Sequence, residues 1–128
     1  MEQEVKRLGD AELEIMQAIW AAGEPVSSTS VQAALRGRRD WALATLLTAL
    51  NRLCDKGFLR CEKRGRNNLY TALIDRDTYQ QQEGRTMLEK LYGNSVTGLV
   101  AALYAGKSID DGDLAELRRF LENWKEGL

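Results

Sequence analysis

Residues 41–57 read WALATLLTALNRLCDKG, and the fold turns on how that stretch is wound. On a helical wheel, at about 100° per residue, it divides into two faces. Leu43, Leu46, Leu50 and Leu53 gather on one side, with Leu47 and Cys54 at its edge. Trp41, Ala44, Thr45, Thr48, Asn51, Arg52 and Asp55 gather on the other. Leucines at this spacing are ordinarily the packed side of a helix. The opposite side is more informative, because a solvated face usually carries long Glu and Lys side chains, which are good helix formers. A face of Ala, Thr, Thr and Asn instead lets the backbone come close to something flat and hydrogen-bonding, which is what the major groove requires of an inserted helix.

Upstream of this helix, Leu8-Gly9-Asp10 reads as a helix start with Asp10 as N-cap and Glu12 and Glu14 in the first turn, where acids suit the dipole. Leu13, Ile15, Met16, Ile19 and Trp20 share half of its wheel as core, and Gly23 is the expected residue just past its end. Glu24-Pro25-Val26 is then an extended link. Ser27 or Ser28 can cap a second helix through about residue 35, with Val31, Ala34 and Leu35 inward. A basic turn, RGRRD at 36–40, leads into the 41–57 helix. Helix, short turn and a helix with a polar outer face make a helix-turn-helix. Downstream, residues 58–63 (FLRCEK) and 69–73 (LYTAL) have the alternation of short strands. The turn between them, RGRNN at 64–68, carries two arginines at its tip. A basic hairpin after a helix-turn-helix makes a winged helix, whose wing lies along phosphates or reaches the minor groove.

Charge supports the same reading. Residues 1–35 carry a net −4 and residues 67–128 a net −3, but residues 36–66 hold nine Lys/Arg against three Asp/Glu, a net +6 inside a chain of net −1. A basic middle in an acidic chain is the footprint of a polyanion partner, although charge runs are often only a solvated surface. The chain has no histidine, which removes the commonest general base and metal ligand. With no phosphate-cradling Gly-rich loop and no nucleophile motif, an enzyme is not expected, nor is a cofactor. Cys54 and Cys61, the two cysteines, are too few for a disulfide framework or a zinc site. They read as ordinary buried thiols, with a redox pair as the alternative. No run of about 18 apolar residues exists to span a membrane, and the charged N-terminal stretch MEQEVKRLGD points to the cytoplasm.

The remainder reads as three one-sided helices. Asp75 can cap one running to about residue 92, with Tyr79, Met87, Leu88 and Leu91 along one side. A second, about 95–105, carries Val96, Leu99, Val100, Leu103 and Tyr104. A third starts at Asp110, with Asp113 in its first turn, and continues through Leu114, Leu117, Leu121 and Trp124. A homodimer interface is the natural home for such faces, and an autonomous bundle is the other.

The segments DAELEIMQAIW, WALATLLTALNRLCDKGFL, LYTAL, MLEKLYGNS and DLAELRRFL resemble, in order and spacing, the BlaI/MecI penicillinase-repressor family over nearly the whole chain. The resemblance implies a mainly α fold with a small β wing: a winged helix-turn-helix over residues 1–74 and a helical dimerisation region over 75–128. It implies a homodimeric repressor on a palindromic double-stranded operator. Trp41, Ala44, Thr45 and Thr48 then fall at the DNA-facing start of the recognition helix, and Arg52, Arg64, Arg66 and Asn67 at backbone contacts. For Trp41, an aromatic packed at the helix start is the competing reading. Tyr79, Leu88, Leu91, Leu99, Leu103, Leu114, Leu117 and Leu121 fall to dimerisation. The family often has Ser-Pro-Lys where this chain has Ala42-Leu43-Ala44, so a lysine contact is missing. Antibiotic-responsive members are cleaved at an Asn-Phe bond, and the matching positions here are Ala102-Leu103, so no upstream sensor or protease can be named. The copper-responsive branch has a C-terminal cysteine cluster, absent here. Other readings are a protein-interaction module using the winged helix as a docking surface, and a ligand- or redox-sensing regulator.

Overall fold

Nine elements follow one another along the computed structural model, which describes residues 6–23 and 25–127, the last three of these by backbone alone. They are α1 (Asp10–Ala22), β1 (Val26–Ser27), α2 (Ser28–Ala34), α3 (Leu43–Asp55), β2 (Leu59–Arg64), β3 (Asn67–Ala72), α4 (Arg76–Tyr92), α5 (Val96–Ala105) and α6 (Asp111–Gly127). Two compact units result, Met1–Glu83 and Gly84–Leu128. The break therefore falls inside α4 rather than at residues 74–75.

Helix starts follow local chemistry. Ser27 Oγ accepts the Ser30 amide at 3.2 Å, Asp75 Oδ1 the Thr78 amide at 2.7 Å, and Ser95 Oγ the Gly98 amide at 2.9 Å. Asp110 and Asp113 cap each other reciprocally, side chain to amide, at 2.9 Å each way. Asp10 is a correction: Gly9 is the N-cap and Asp10 the first helical residue, while Glu12 Oε1 accepts the Gly9 amide at 3.2 Å. The end of α1 needs a left-handed residue, and Gly23 supplies it at φ +70°.

The sheet has the order β1-β3-β2 and is antiparallel throughout. The stretch around Val26, expected to be only a link, pairs with β3 through Val26↔Tyr70 and Ser27↔Leu69. The wing strands sit one or two residues from their expected bounds. Asn67 and Asn68 belong to β3, and the hairpin turn is only Gly65-Arg66, closed by Arg64↔Asn67. Gly65 at φ +60° provides the positive dihedral that a two-residue hairpin turn needs.

One core fills the first unit: Ile15, Met16 and Ile19 of α1, Val31 and Leu35 around α2, Leu46, Leu50 and Leu53 of α3, and Phe58, Leu59 and Tyr70 from the sheet side. Ala34, expected inward, is exposed, and so is Leu43. Tyr79, expected on the dimer face, belongs to this core at 4% exposure. Its ring lies 5.7 Å from Phe58 and 6.0 Å from Trp20. Its hydroxyl accepts the Leu8 amide at 2.9 Å and donates to Glu83 at 3.1 Å. That anchorage ties the first turns of α4 to the first unit and moves the break downstream.

Among the described side chains of the second unit none is buried. Leu91 is 72% exposed, Val96 and Trp124 61%, Phe120 58% and Leu121 55%. Leu88, Leu99, Leu103 and Leu114 are half-buried, and Leu117 is exposed. No described helix is long and apolar enough to cross a membrane.

Tyr79→Ala is expected to destabilise the first unit by about 3–5 kcal/mol, as deletion of a buried aromatic ring does. Chemical denaturation should give that loss at every protein concentration, whereas a residue in a dimer interface would give a loss that varies with concentration.

Candidate nucleic-acid interface

The recognition helix α3 is held by one face and free on the other. Leu46, Leu50 and Leu53 are fully buried, while Ala44, Thr45, Thr48, Asn51, Arg52 and Asp55 are exposed. The leucine stripe thus sets the roll of the helix, and Ala44, Thr45, Thr48 and Arg52 emerge together. The Thr48 hydroxyl donates to the Ala44 carbonyl at 3.2 Å, so its proton is engaged within the helix and its oxygen is left as an acceptor. Ala42 caps the helix without any side-chain hydrogen bond, and the first turn holds no acid. Its first amides keep their partial positive charge available to an anion.

Trp41 precedes the helix. It is half-buried and packs against the core, and its carbonyl accepts from Gln32 Nε2 at 2.9 Å. Its indole Nε1 is buried without a hydrogen-bond partner among the described residues, and the Arg39 guanidinium carbon lies 6.0 Å from its ring centroid. Trp41 is thus packed at the entry to α3, with part of its surface still exposed.

Two carboxylates of α1 engage cations at either end of α3. Glu14 Oε2 accepts from Arg39 Nη2 at 2.8 Å and from Nε at 3.1 Å. Glu12 holds Lys56 Nζ at 2.7 and 2.9 Å through its two oxygens. Burial pushes the Glu12 carboxyl up, but the Lys56 hydrogen bond, the Gly9 amide, and the charges of Lys56 and Arg52 outweigh it, so the net shift is downward. Arg60 pairs loosely with Glu62 at 3.6 Å. By contrast, Arg36, Arg38, Lys63, Arg64 and Arg66 are exposed and form no ion pair among the described residues. Arg36, Arg38 and Lys63 were not singled out from sequence as contacts. Their signal was there, as members of the +6 segment, but only the structure tells them from the tethered Arg39 and Lys56. Arg64 and Asn67 flank the wing turn and Arg66 occupies it.

No group of three or more His, Cys, Asp or Glu able to hold a metal ion occurs among the described residues. A concavity of about 430 Å³ lies along α6, lined by Leu114, Leu117 and Leu121 with Arg118 and Glu122.

A helix-turn-helix closed by a three-stranded sheet, with a small polar helix face and a free basic hairpin, defines a winged-helix DNA-binding protein. The penicillinase repressor family matches residues 8–123, and the chain belongs to that family. It is similar to the methicillin resistance regulatory protein MecI of Mammaliicoccus sciuri, with 24% identity over 121 residues that cover 94% of this chain and 98% of MecI. The DNA-binding domain of the repressor BlaI has a similar structure, with 35% identity and a TM-score of 0.52 over 61% of this chain and 94% of that one. So has the monomeric form of Bacillus licheniformis BlaI in complex with the blaP half-operator, with 36% identity and a TM-score of 0.50 over 59% and 92% of the two chains. The family is one of transcriptional repressors and not of enzymes, and this protein is a DNA-binding transcriptional repressor.

A carboxylate held below its unfolded-state pKa contributes stability above that unfolded value and loses it as pH falls through the folded one. The first unit should therefore weaken on acidification from about pH 5 toward 3. Glu12→Gln should flatten that acid limb in denaturant titrations run across the same pH range.

Proposed function

We propose that the protein represses transcription as a homodimer that lays α3 of each copy into the major groove of a palindromic operator. The single observation that carries this reading is the free face of α3, small and hydroxyl-bearing at an N-terminus without a side-chain cap and flanked by arginines that form no ion pair among the described residues. Ala44 permits close approach, while Thr45 and Thr48 read base edges and thymine methyl groups. Arg52, Arg64, Arg66 and Asn67 engage the phosphate backbone, which positions the protein without specifying sequence. Arg36, Arg38 and Lys63 add to the same salt-sensitive attraction. Trp41 acts from beneath, holding the N-terminus of α3 in register. The solved complex of a related BlaI with its half-operator supports this mode of docking for the first unit.

Dimerisation falls to the second unit, through Leu88, Leu91, Leu99, Leu103, Leu114, Leu117 and Leu121. Apolar side chains left this exposed on α4, α5 and α6 are stabilised by a second copy of the same surface, as a two-fold interface provides. Tyr79 has no part in it. Two copies then read half-sites about one helical turn apart. A repressor of this kind works in the cytoplasm, where its operator DNA would be met.

Selection of bound duplexes from a random pool at moderate salt should enrich a palindrome with that half-site spacing. If no motif were enriched and binding vanished as salt rose, the attraction would be to backbone alone, and the winged helix would be better read as a protein-docking surface. At the residue level, Arg66→Ala should weaken binding to every sequence alike and lower the slope of log affinity against log salt by about one. Thr48→Ala should instead change base preference, with the slope unmoved.

A further inference from the structure

Three groups without a place in DNA reading meet where α3 ends against the stem of the wing. Cys54, in the last turn of α3, is half-buried, Cys61 of β2 is exposed, and both thiols are free. Tyr70 of β3 stands directly opposite Cys61 in the strand register. Opposed residues of an antiparallel pair project to one face, and residues two apart on a strand share it. Cys61 thus lies on the core-facing side of the sheet with Leu59 and Tyr70, at the open edge of β2, where α3 packs. Tyr70 is fully buried, and its hydroxyl makes no hydrogen bond of proper geometry among the described residues. Burial pushes its phenol up and the Cys61 and Cys54 thiols add to that, outweighing the Asn68 side chain, which pulls it down. Burial likewise pushes the Cys54 thiol up, with Cys61 and then Asp55 adding to it. Cys54 ends the helix that packs on β2, and Cys61 and Tyr70 share the face of the β2–β3 pair, so the three lie around one corner of the first unit.

We propose that Cys54 and Cys61 are a peroxide-responsive dithiol whose disulfide ties the recognition helix to the stem of the wing and lowers affinity for DNA. Its effect on affinity rests on the repressor reading above; the disulfide itself does not. Cys61 reacts first, because it is the accessible thiol. Its thiolate sulfur attacks one oxygen of a hydroperoxide. The O–O bond breaks, that oxygen stays on sulfur as a sulfenic acid, and the other leaves and is protonated. The Cys54 sulfur then attacks the Cys61 sulfur, and its own proton goes to the departing hydroxyl. With hydrogen peroxide, two thiols are oxidised, the peroxide is reduced, and two waters are released. The protonated Tyr70 hydroxyl is a positioning group, a donor placed to stabilise the leaving oxygen. A disulfide holds its two Cα atoms within about 4.4–6.8 Å. The bond therefore dictates the spacing between the end of α3, just past Arg52, and β2, three residues before Arg64. Both arginines must reach phosphates at once, so a fixed spacing acts on their joint engagement.

The test treats the full-length reduced protein with one equivalent of hydrogen peroxide and follows intact mass, alkylatable thiols and affinity for duplex DNA at constant salt. Expected are loss of two hydrogens, a Cys54–Cys61 link in the peptide map, and a roughly tenfold fall in affinity, a size typical of coupled sites, reversed by dithiothreitol. Cys61→Ser should abolish both the link and the response. Tyr70→Phe should slow the link without changing the affinity of the reduced protein. Oxygen adducts on Cys61 with no link, disulfides only between copies, or a link with unchanged affinity would each overturn the proposal. Should the reduced protein itself fail to bind DNA, the repressor reading falls instead, while the mass measurement still decides whether the disulfide forms.

Discussion

Everything this protein does with DNA depends on burying Leu46, Leu50 and Leu53 against α1, α2 and the sheet. Three leucines on one side of α3 set its roll about its own axis, so the opposite residues are chosen by geometry and not by composition. Each fully buried leucine is worth about 1.5–3 kcal/mol relative to exposure, far more than any single surface contact on the outer face. The outward side is thereby relieved of any structural duty. It can be small, polar and poorly capped because the helix is held from behind.

The cations around α3 are of two kinds. Arg39 and Lys56 are held by Glu14 and Glu12 of α1, at contacts down to 2.8 and 2.7 Å. Ion pairs at partly exposed sites are worth little to stability, about 0–1 kcal/mol, so their value here lies more in position than in energy. Glu14 and Glu12 attach α1 to the turn before α3 and to the residue after it, which steadies the helix along its axis as the leucines steady its roll. Arg36, Arg38, Arg52, Lys63, Arg64 and Arg66 are left without an ion pair among the described residues. A net charge of +6 counted along the sequence thus overstates what is free, since two of its nine cations are tethered and Arg60 leans on Glu62.

Much of this was legible in the residues, for reasons that differ by element. Helix starts at Ser27, Asp75, Ser95 and Asp110 were readable because capping is a contact within four residues. Asp10 misled because Gly9, one residue earlier, already had the extended backbone and an amide within reach of Glu12. The two-residue strand β1 was out of reach, since it exists only by pairing with β3 more than forty residues later. Tyr79 was misassigned for a related reason. Helical periodicity says which residues share a face but not what that face meets, and the first turns of α4 meet Phe58 and Trp20. The outward set Ala44, Thr45, Thr48 and Arg52 could be read because it is the complement of a leucine stripe. The distinction between free and tethered arginines could not, because Glu14 and Arg39 are 25 positions apart.

The two units differ in how they are stabilised, and that difference bears on regulation. The first has a closed core with residues at zero exposure; the second has no buried side chain among those described. Helices of 10 and 17 residues with no enclosed core are marginal in water by propensity alone. On the proposed dimer, the second unit is completed only by another copy, so its order and the pairing of recognition helices rise together with protein concentration. Joining two half-site readers converts the second docking step into an intramolecular one, which multiplies affinity without any new contact to DNA. Anything that separates the copies then lowers occupancy of the operator without touching α3.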